Sequence, residues 1–598
     1  MPFAFTNPAA YPYRSGSLFV GLDPATNAPV GINTERHAIT IAGAGSGKGA
    51  AFLIPNALRW PHNLLVVDPK GENAAAVWQA REALGQSVHV LDPFKVANVP
   101  ERLRASFNPL GSINPASMTG REDIEVIADG LVKRSDPKHE DWYDGAASIL
   151  AGLIAYVIET APPEHRTLAT VRGLLLQTNE PLYADAQRML DTAAFGGLAK
   201  AAGVTIMTAL EADKGMEKDF LGGARRYTKW LDSPPIAATL GASTFDLAAL
   251  KTGRASVFLV LPPQYIDTHA AFLRLFVRGA INAMMSEGAT TQGRCLFLLD
   301  EFYSLGKLDI VAKSAGLMRG YGLHLWPFLQ DLGQLRSLYG REMAETFFNN
   351  SDASIFFGNA DQLTLQYVSE QIGNLKPEEV VTKPPKNKYF DPFWDSGFQP
   401  EAVARDIHRT KQENAQNEYQ HAMRREGKPR LTPEEVAQRV GKKDGDAVAR
   451  SAIVFAKGGD VLNVRLQPYF APGASVGVAS AAAPAPANHR EEVKAWVVAG
   501  IAAIAASIIL PAGPVALVGI VAALGGAMLF TVRPRRLYWE SFGLAFVTVL
   551  LVTTAGNVIG KFLGLPDSDR VGFAVSLAAS AYVMARVSVW YRRRLGIL

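Results

Sequence analysis

The sequence predicts an α/β fold. A parallel sheet is built around a phosphate-binding loop, broken by an all-helical insertion and followed by a C-terminal bundle of about four transmembrane helices. Three observations carry that expectation. An apolar run breaks at Gly43 into a glycine-rich turn that ends on Lys48 and opens a helical stretch. A second apolar run, residues 295–299, delivers Asp300 and Glu301 at its C-terminal end. Beyond residue 490, four apolar runs each approach the length that crosses a bilayer.

The glycine turn comes first. Residues 38–42 read as a short buried strand, and Gly43, Ala44, Gly45, Ser46 and Gly47 form the turn after it. Glycines let backbone N–H groups converge on phosphate oxygens, and the helix N-terminus adds its partial positive charge. Lys48 reaches the β- and γ-phosphates as a point charge. A glycine turn alone also serves ordinary strand-to-helix connections; the lysine at this offset favours nucleotide. Against the pattern G-x-x-x-x-G-K-[ST], Ala42 replaces the first glycine and Gly49 the hydroxyl residue. That hydroxyl normally ligates Mg²⁺. Here the metal must rely on water, the phosphates and a distant carboxylate, because Ser46 lies on the wrong side of the lysine.

Buried strands at 63–68 and 88–91 alternate with helical stretches, which predicts a parallel sheet with active groups at the strand C-termini. Asp68 and Lys70 lie at one such end, where capping a turn is the simple reading. From residue 118 to 232 helical periods replace strands: Ile124, Ile127 and Leu131 share a face, and an apolar helix runs from Trp142 to Ile158. This insertion ends in Arg225-Arg226-Tyr227-Thr228-Lys229-Trp230, either a solvated helix face or a cluster suited to DNA phosphates and bases. The sheet resumes at 255–261. In the strand at 295–299, Asp300 is placed to hold Mg²⁺, directly or through water, and Glu301 to polarise an attacking water. The expected division is residues 1–117 and 233–470 for the two halves of the ATPase domain, 118–232 for the insertion, 471–490 for an Ala/Pro-rich linker and 491–598 for the membrane part.

Composition bounds the rest. A chain of 598 residues holds several domains, and its single cysteine, Cys295, excludes an internal disulfide. A formal charge of +4 does not advertise nucleic-acid binding. The first residues lack an apolar signal-peptide core, and His and Cys are too scattered for a structural zinc.

GSGKG, then IPN and WP, then a strand ending in DPKGEN closely resembles the TraG-like coupling ATPases of type IV secretion and conjugation systems. DEFYSLGKLD, Gly320-Tyr321-Gly322-Leu323 and the strand reaching Leu329-Gln330-Asp331 extend the resemblance, which covers most of residues 30–470. That family commonly has Gly after the lysine. The resemblance implies a RecA-like P-loop ATPase domain using ATP and Mg²⁺, six subunits in a ring, and nucleotide at the subunit interfaces. Its cargo would be single-stranded DNA with bound relaxase, or protein effectors, passed to type IV secretion channel components. It also implies a nucleotide-side or interface role for Asp68 and Lys70, and a DNA or relaxase role for the helical insertion. Gln330 is placed as a γ-phosphate sensor, with a plain turn residue as the other reading. Arg319 is the candidate arginine finger reaching a neighbouring subunit. Residues 376–400 are rich in Pro and Lys, residues 401–428 form a charged arm, and the segments at 429–436, 451–455 and 464–470 resemble the family's closing strands.

The apolar runs are 495–510, 515–532, 542–559 and 571–590, the first short enough to be a re-entrant hairpin instead. Arg533, Arg535 and Arg536 follow the second and Arg592, Arg593 and Arg594 the fourth, so the positive-inside rule puts both termini and the ATPase in the cytoplasm. A multi-pass protein of the bacterial inner membrane is expected. The family's usual anchor lies before the ATPase, and this one follows it. Two rivals stay open: a non-hydrolysing, nucleotide-switched membrane receptor, which Gly49 keeps alive, and another RecA-like DNA translocase, which the DPKGEN and DEF-SLG contexts disfavour. No LSGGQ-like segment supports an ABC transporter.

Overall fold

The computed structural model describes residues 4–471 except 135–136, 213, 287–293, 309, 312–317, 376–427 and 444. The charged arm, the linker and the four apolar runs lie outside the described residues. Among the described residues no helix is long and apolar enough to cross a membrane.

One sheet of eleven strands organises the fold. Its strands are β1 (Leu18–Leu22), β2 (Pro29–Ile32), β3 (His37–Ala42), β4 (Asn63–Val67), β5 (Ser87–Leu91), β6 (Ala255–Leu259), β7 (Cys295–Leu299), β8 (Leu323–Leu329), β9 (Ser351–Phe357), β10 (Ser451–Ala456) and β11 (Asp460–Arg465). Strands β3, β4, β6 and β7 are buried along their whole length, as apolar strands covered on both faces must be. Seven strands run parallel in the order β9-β3-β8-β7-β4-β6-β5.

The other edge corrects the expectation of a parallel sheet. Strands β10, β11, β1 and β2 add on antiparallel, so the sheet is mixed. The cause is local. Strands β10 and β11 are joined by Lys457-Gly458-Gly459, whose glycines take φ of 101° and 89°, and so short a turn connects only antiparallel neighbours. The closing strand also sits earlier than 464–470: β11 ends at Arg465, and the chain from Leu466 to Ala471 leaves the sheet.

The helices flank this sheet: α1 (Ile54–Arg59), α2 (Glu72–Ala83), α3 (Gly120–Leu131), α4 (Glu140–Thr160), α5 (Leu168–Leu176), α6 (Asn179–Met189), α7 (Ala194–Glu211), α8 (Met216–Tyr227), α9 (Pro234–Thr239), α10 (Ala249–Thr252), α11 (Pro263–Met285), α12 (Leu332–Asn349), α13 (Gln362–Ile372) and α14 (Pro433–Val440). Helix α4 is buried on nearly every side from Ile149 to Ile158, which makes it the axis of the helical part. Gly152 lets it touch α7, since a Cβ there would collide with the Ala202 methyl. Helix α3 in turn packs along α11 and joins the helical part to the sheet.

Three motifs of the resemblance turn out to be clamps. Asn56, of IPN, accepts from Phe19 N–H at 2.8 Å and donates to Phe19 O at 2.9 Å, tying the first strand to α1. Trp60, of WP, donates its indole N–H to Asn63 O at 3.0 Å. Asp68, opening DPKGEN, accepts from Ala74 N–H at 2.8 Å and from the Asn73 amide at 3.0 Å, so it caps the first turn of α2.

Candidate nucleotide site

The sheet order decides which groups meet. Strand β8 lies between β3 and β7, with Ile41 beside Leu329 and Leu299 beside Pro327. The glycine turn after β3, Gln330 after β8 and Asp300-Glu301 after β7 therefore share the C-terminal edge of three adjacent strands.

Gly45 and Gly47 take φ of 67° and 93°, a region glycine enters without strain. Ser46 N–H donates to Gly43 O at 3.2 Å, which closes the turn. Lys48 folds back and donates to Ala42 O at 3.2 Å. The helix begins with a widened turn over Gly49–Leu53, in which Ile54 N–H reaches the Gly49 carbonyl five residues back. A Cβ on Gly49 would meet nothing within 4 Å, so the missing hydroxyl is not a steric requirement. Ser46 faces inward, its Cβ packed where any side chain on Gly358 would collide, and cannot stand in for that hydroxyl.

The acidic pair is held firmly. Burial, then the neighbouring Glu301 charge, pushes the Asp300 carboxyl up to about 6, while Lys48 pulls it down. Glu301 N–H donates to Asp300 Oδ1 at 3.1 Å. Glu301 itself is left-handed (φ 51°, ψ 43°), a conformation that costs a non-glycine residue about 1–2 kcal/mol. The turn that imposes it is pinned by Ser304, whose hydroxyl donates to Glu301 O at 2.7 Å, and by the buried side chains of Phe302 and Leu305. Gln330 Nε2 donates to Glu301 Oε2 at 3.3 Å. The Gln330 amide thus touches the Glu301 carboxylate, a contact that a sensor and an ordinary turn residue both allow.

Asp68 is buried close enough to Asp300 for the two charges to repel. Burial pushes its carboxyl up to about 7, its hydrogen bonds to Ala74 and Asn73 pull down, and the Asp300 charge pushes up. Lys70 is exposed and lowers Asp300. Of the two readings for Asp68, the cap is the one its contacts make. Arg319 begins a short turn, Arg319–Tyr321, and its side chain lies outside what the structure describes. The cluster at 225–230 is largely committed to packing. Trp230 is buried, Arg225 donates to Leu175 O at 2.9 Å, and Arg226 and Lys229 are the exposed cations.

Two groups escaped the sequence reading. Residues 440–449, between α14 and β10, strap the glycine turn: Gly358 N–H donates to Val440 O at 2.7 Å, Lys442 Nζ to Gly45 O at 2.7 Å, and Ala449 N–H to Ser46 O at 3.0 Å. Val448 fills the space a Cβ on Gly47 would need. The second is Arg274 on α11, buried, donating to Gly130 O (3.0 Å) and Leu131 O (3.3 Å) at the end of α3 and to Leu305 O (3.4 Å) behind Glu301. Its signal was present, a lone arginine inside the apolar run 270–277. The strap gave none, because nothing in GKKDGDAVA announces a contact 400 residues upstream.

Residues 12–383 match the family model described as Type IV secretory system Conjugative DNA transfer. A probable conjugal transfer protein TraG of Sinorhizobium fredii is 30% identical over 56% of this chain and 52% of its own length. Protein VirD4 of Agrobacterium fabrum is 27% identical over 60% of this chain and 52% of its own length. The chain spans about half the length of the curated relatives it matches. In fold it is similar to the bacterial conjugative coupling protein TrwBdeltaN70, with a TM-score of 0.53 at 15% identity over 77% of this chain and 91% of the other. TrwB in complex with ADP and Mg²⁺ superposes equally well, again with a TM-score of 0.53 at 15% identity over the same shares of the two chains. By the extent of the family match, over more than half of its residues, this chain belongs to the type IV secretory system conjugative DNA transfer family.

Proposed function

We propose that this chain is a membrane-anchored, ATP-driven coupling protein that recruits single-stranded DNA with its bound relaxase, or protein effectors, and delivers them to a type IV secretion channel. The observation that carries the reading is the meeting of Lys48, Asp300, Glu301 and Gln330 at one sheet edge, with Gln330 in hydrogen-bond reach of Glu301. The loop's backbone N–H groups, apart from those of Gly43 and Ser46 that the fold already uses, and the Lys48 ammonium bind the phosphates, and Lys48 exchanges Ala42 O for them. Glu301 takes the proton of the attacking water, and Gln330 holds the carboxylate in position.

Among the described residues no cluster of three His, Cys, Asp or Glu side chains holds a metal alone, which suits an ion shared with the nucleotide. Asp300, crowded by burial and by Glu301, is the protein's ligand for Mg²⁺. The ion neutralises phosphate charge when bound. Solved structures of TrwB, which has a similar fold, hold ADP and Mg²⁺ or a non-hydrolysable ATP analogue. In this reading six subunits form a ring, Arg319 reaches the ATP of the next subunit, and the runs at 491–598 hold the ring in the inner membrane with the ATPase in the cytoplasm. Residues 118–232 act as the cargo-facing insertion.

Gly49 favours one second reading, a receptor that binds nucleotide to switch conformation and does not hydrolyse it. Turnover of ATP by the full chain, with and without single-stranded DNA, separates the two. Lys48→Ala abolishes nucleotide binding and turnover, and Glu301→Gln keeps binding while turnover stops. Wild type that binds ATP but never turns it over, with any DNA, sinks the motor in favour of the receptor.

A further inference from the structure

We infer that the nucleoside end of the nucleotide is held by the segment that follows β11, with the exposed ring of Phe470 stacking on the purine. The inference rests on the nucleotide reading of the glycine turn and says which residues take the other end of the ligand.

The phosphate chain has a direction on this loop. Lys48, Asp300, Glu301 and Gln330 mark the γ-phosphate end, and three of them come from β7 and β8, on one side of β3. The loop backbone takes the α- and β-phosphates, so the nucleoside leaves past the first turn of the helix, around Gly49 and Ala50, away from the acidic pair. On the other side of β3 lie β9, β10 and β11. The segments flanking those strands cover the loop there. Lys442 Nζ donates to Gly45 O, Ala449 N–H to Ser46 O, and Tyr469 N–H to Ala50 O at 3.0 Å. Tyr469 N–H fixes the backbone of residues 469–470 directly against the residue where the nucleoside departs.

The chemistry at that place suits a base. Tyr469 is half-buried and packs on the core. Phe470 is 61% exposed, and among the described residues its one ring contact is a T-shaped pairing with Tyr469, ring centroids 5.2 Å apart. A large aromatic ring held out to solvent beside a phosphate loop, on a backbone fixed by a hydrogen bond to that loop, presents a free π-face. Every base has such a face, and stacking on it discriminates little between bases. Gly49, at the same turn, adds no side chain, and the space that a Cβ would take there is open.

The test compares Mg·ATP with Mg·tripolyphosphate, which has the phosphates and lacks the nucleoside, by calorimetric titration of the detergent-solubilised full chain. Phe470→Ala weakens ATP about tenfold and leaves tripolyphosphate unchanged, while Phe470→Tyr keeps wild-type affinity for both. Unchanged ATP affinity in Phe470→Ala overturns the assignment. So does an equal loss for both ligands, which would mean that the ring merely supports the loop. Wild type that binds neither ligand removes the nucleotide reading and this inference with it. Wild type that binds tripolyphosphate as tightly as ATP keeps the phosphate loop and overturns the nucleoside site alone.

Discussion

Arg274→Met tests whether α11 holds the turn behind Glu301. The substitution keeps the apolar stem and removes the guanidinium. Three carbonyls, Gly130 O, Leu131 O and Leu305 O, then lose their donor in a buried place. An orphaned buried acceptor costs about 1–3 kcal/mol, so the three together cost about 5 kcal/mol. Part is returned, because burial has already lowered the Arg274 pKa to about 10, and that penalty on the cation, about 3 kcal/mol, disappears with it. A net loss of about 2 kcal/mol follows, enough to lower the thermal midpoint of the sheet-bearing body by about 2 °C. The second consequence is local. Freed at Leu305, the turn no longer imposes the left-handed Glu301, and release of about 1–2 kcal/mol of strain lets the carboxylate relax. Turnover is expected to fall about tenfold with KM unchanged, since the phosphate loop is untouched. Differential scanning fluorimetry and steady-state ATPase kinetics read the two effects, with Arg274→Lys as an intermediate that donates fewer bonds. A lowered midpoint with unchanged kcat would refute the positioning argument and leave Arg274 a structural clasp. An unchanged midpoint would refute the arithmetic itself.

Two further outcomes are expected. Gly49→Ser places a hydroxyl where the general motif has one, without a clash and with a gain of about 0.5 kcal/mol in helix propensity, and it should lower several-fold the Mg²⁺ concentration that half-saturates nucleotide binding; an unchanged half-saturation would mean that this position does not face the metal. Burial lowers the pKa of His324 to about 4 and that of the half-buried His62 to about 4, with Arg294 adding to both, Arg81 and Arg254 to His62, and His37 to His324. The folded state thus binds fewer protons than the unfolded one. This stability is complete above pH 6.5 and is lost as pH falls from 6.5 towards 4, by about 3 kcal/mol at most for His324 and less for His62. His324→Asn retains a donor for Arg36 O, now met by Nδ1 at 2.8 Å, and should flatten the midpoint-versus-pH curve in that window; an equally steep curve would place the acid sensitivity elsewhere.

The sequence determined the parts of this protein whose signal is local. A glycine turn ending in lysine, an apolar strand ending in Asp-Glu and a helical period over 118–232 each have a chemical cause within a few neighbouring residues. That is why the glycine turn, the strand bearing Asp300 and Glu301, and helices α3 and α4 were legible. Whatever depends on distant pairing was not. No local signal places β8 between β3 and β7, and only the family resemblance sets its strand beside the one that ends in Asp300-Glu301; that order brings Gln330 onto Glu301. The antiparallel edge, in which β1 pairs with β11 across more than 400 residues, is equally invisible. IPN, WP and DPKGEN look like chemistry in one dimension and act as clamps in three, because an amide or carboxylate that caps a helix and one that meets a ligand are the same residue type. Tyr469 and Lys442 reach the phosphate loop and the helix start after it only because the chain returns there after β11 and α14, through one backbone N–H and one lysine ammonium that carry no sequence signature.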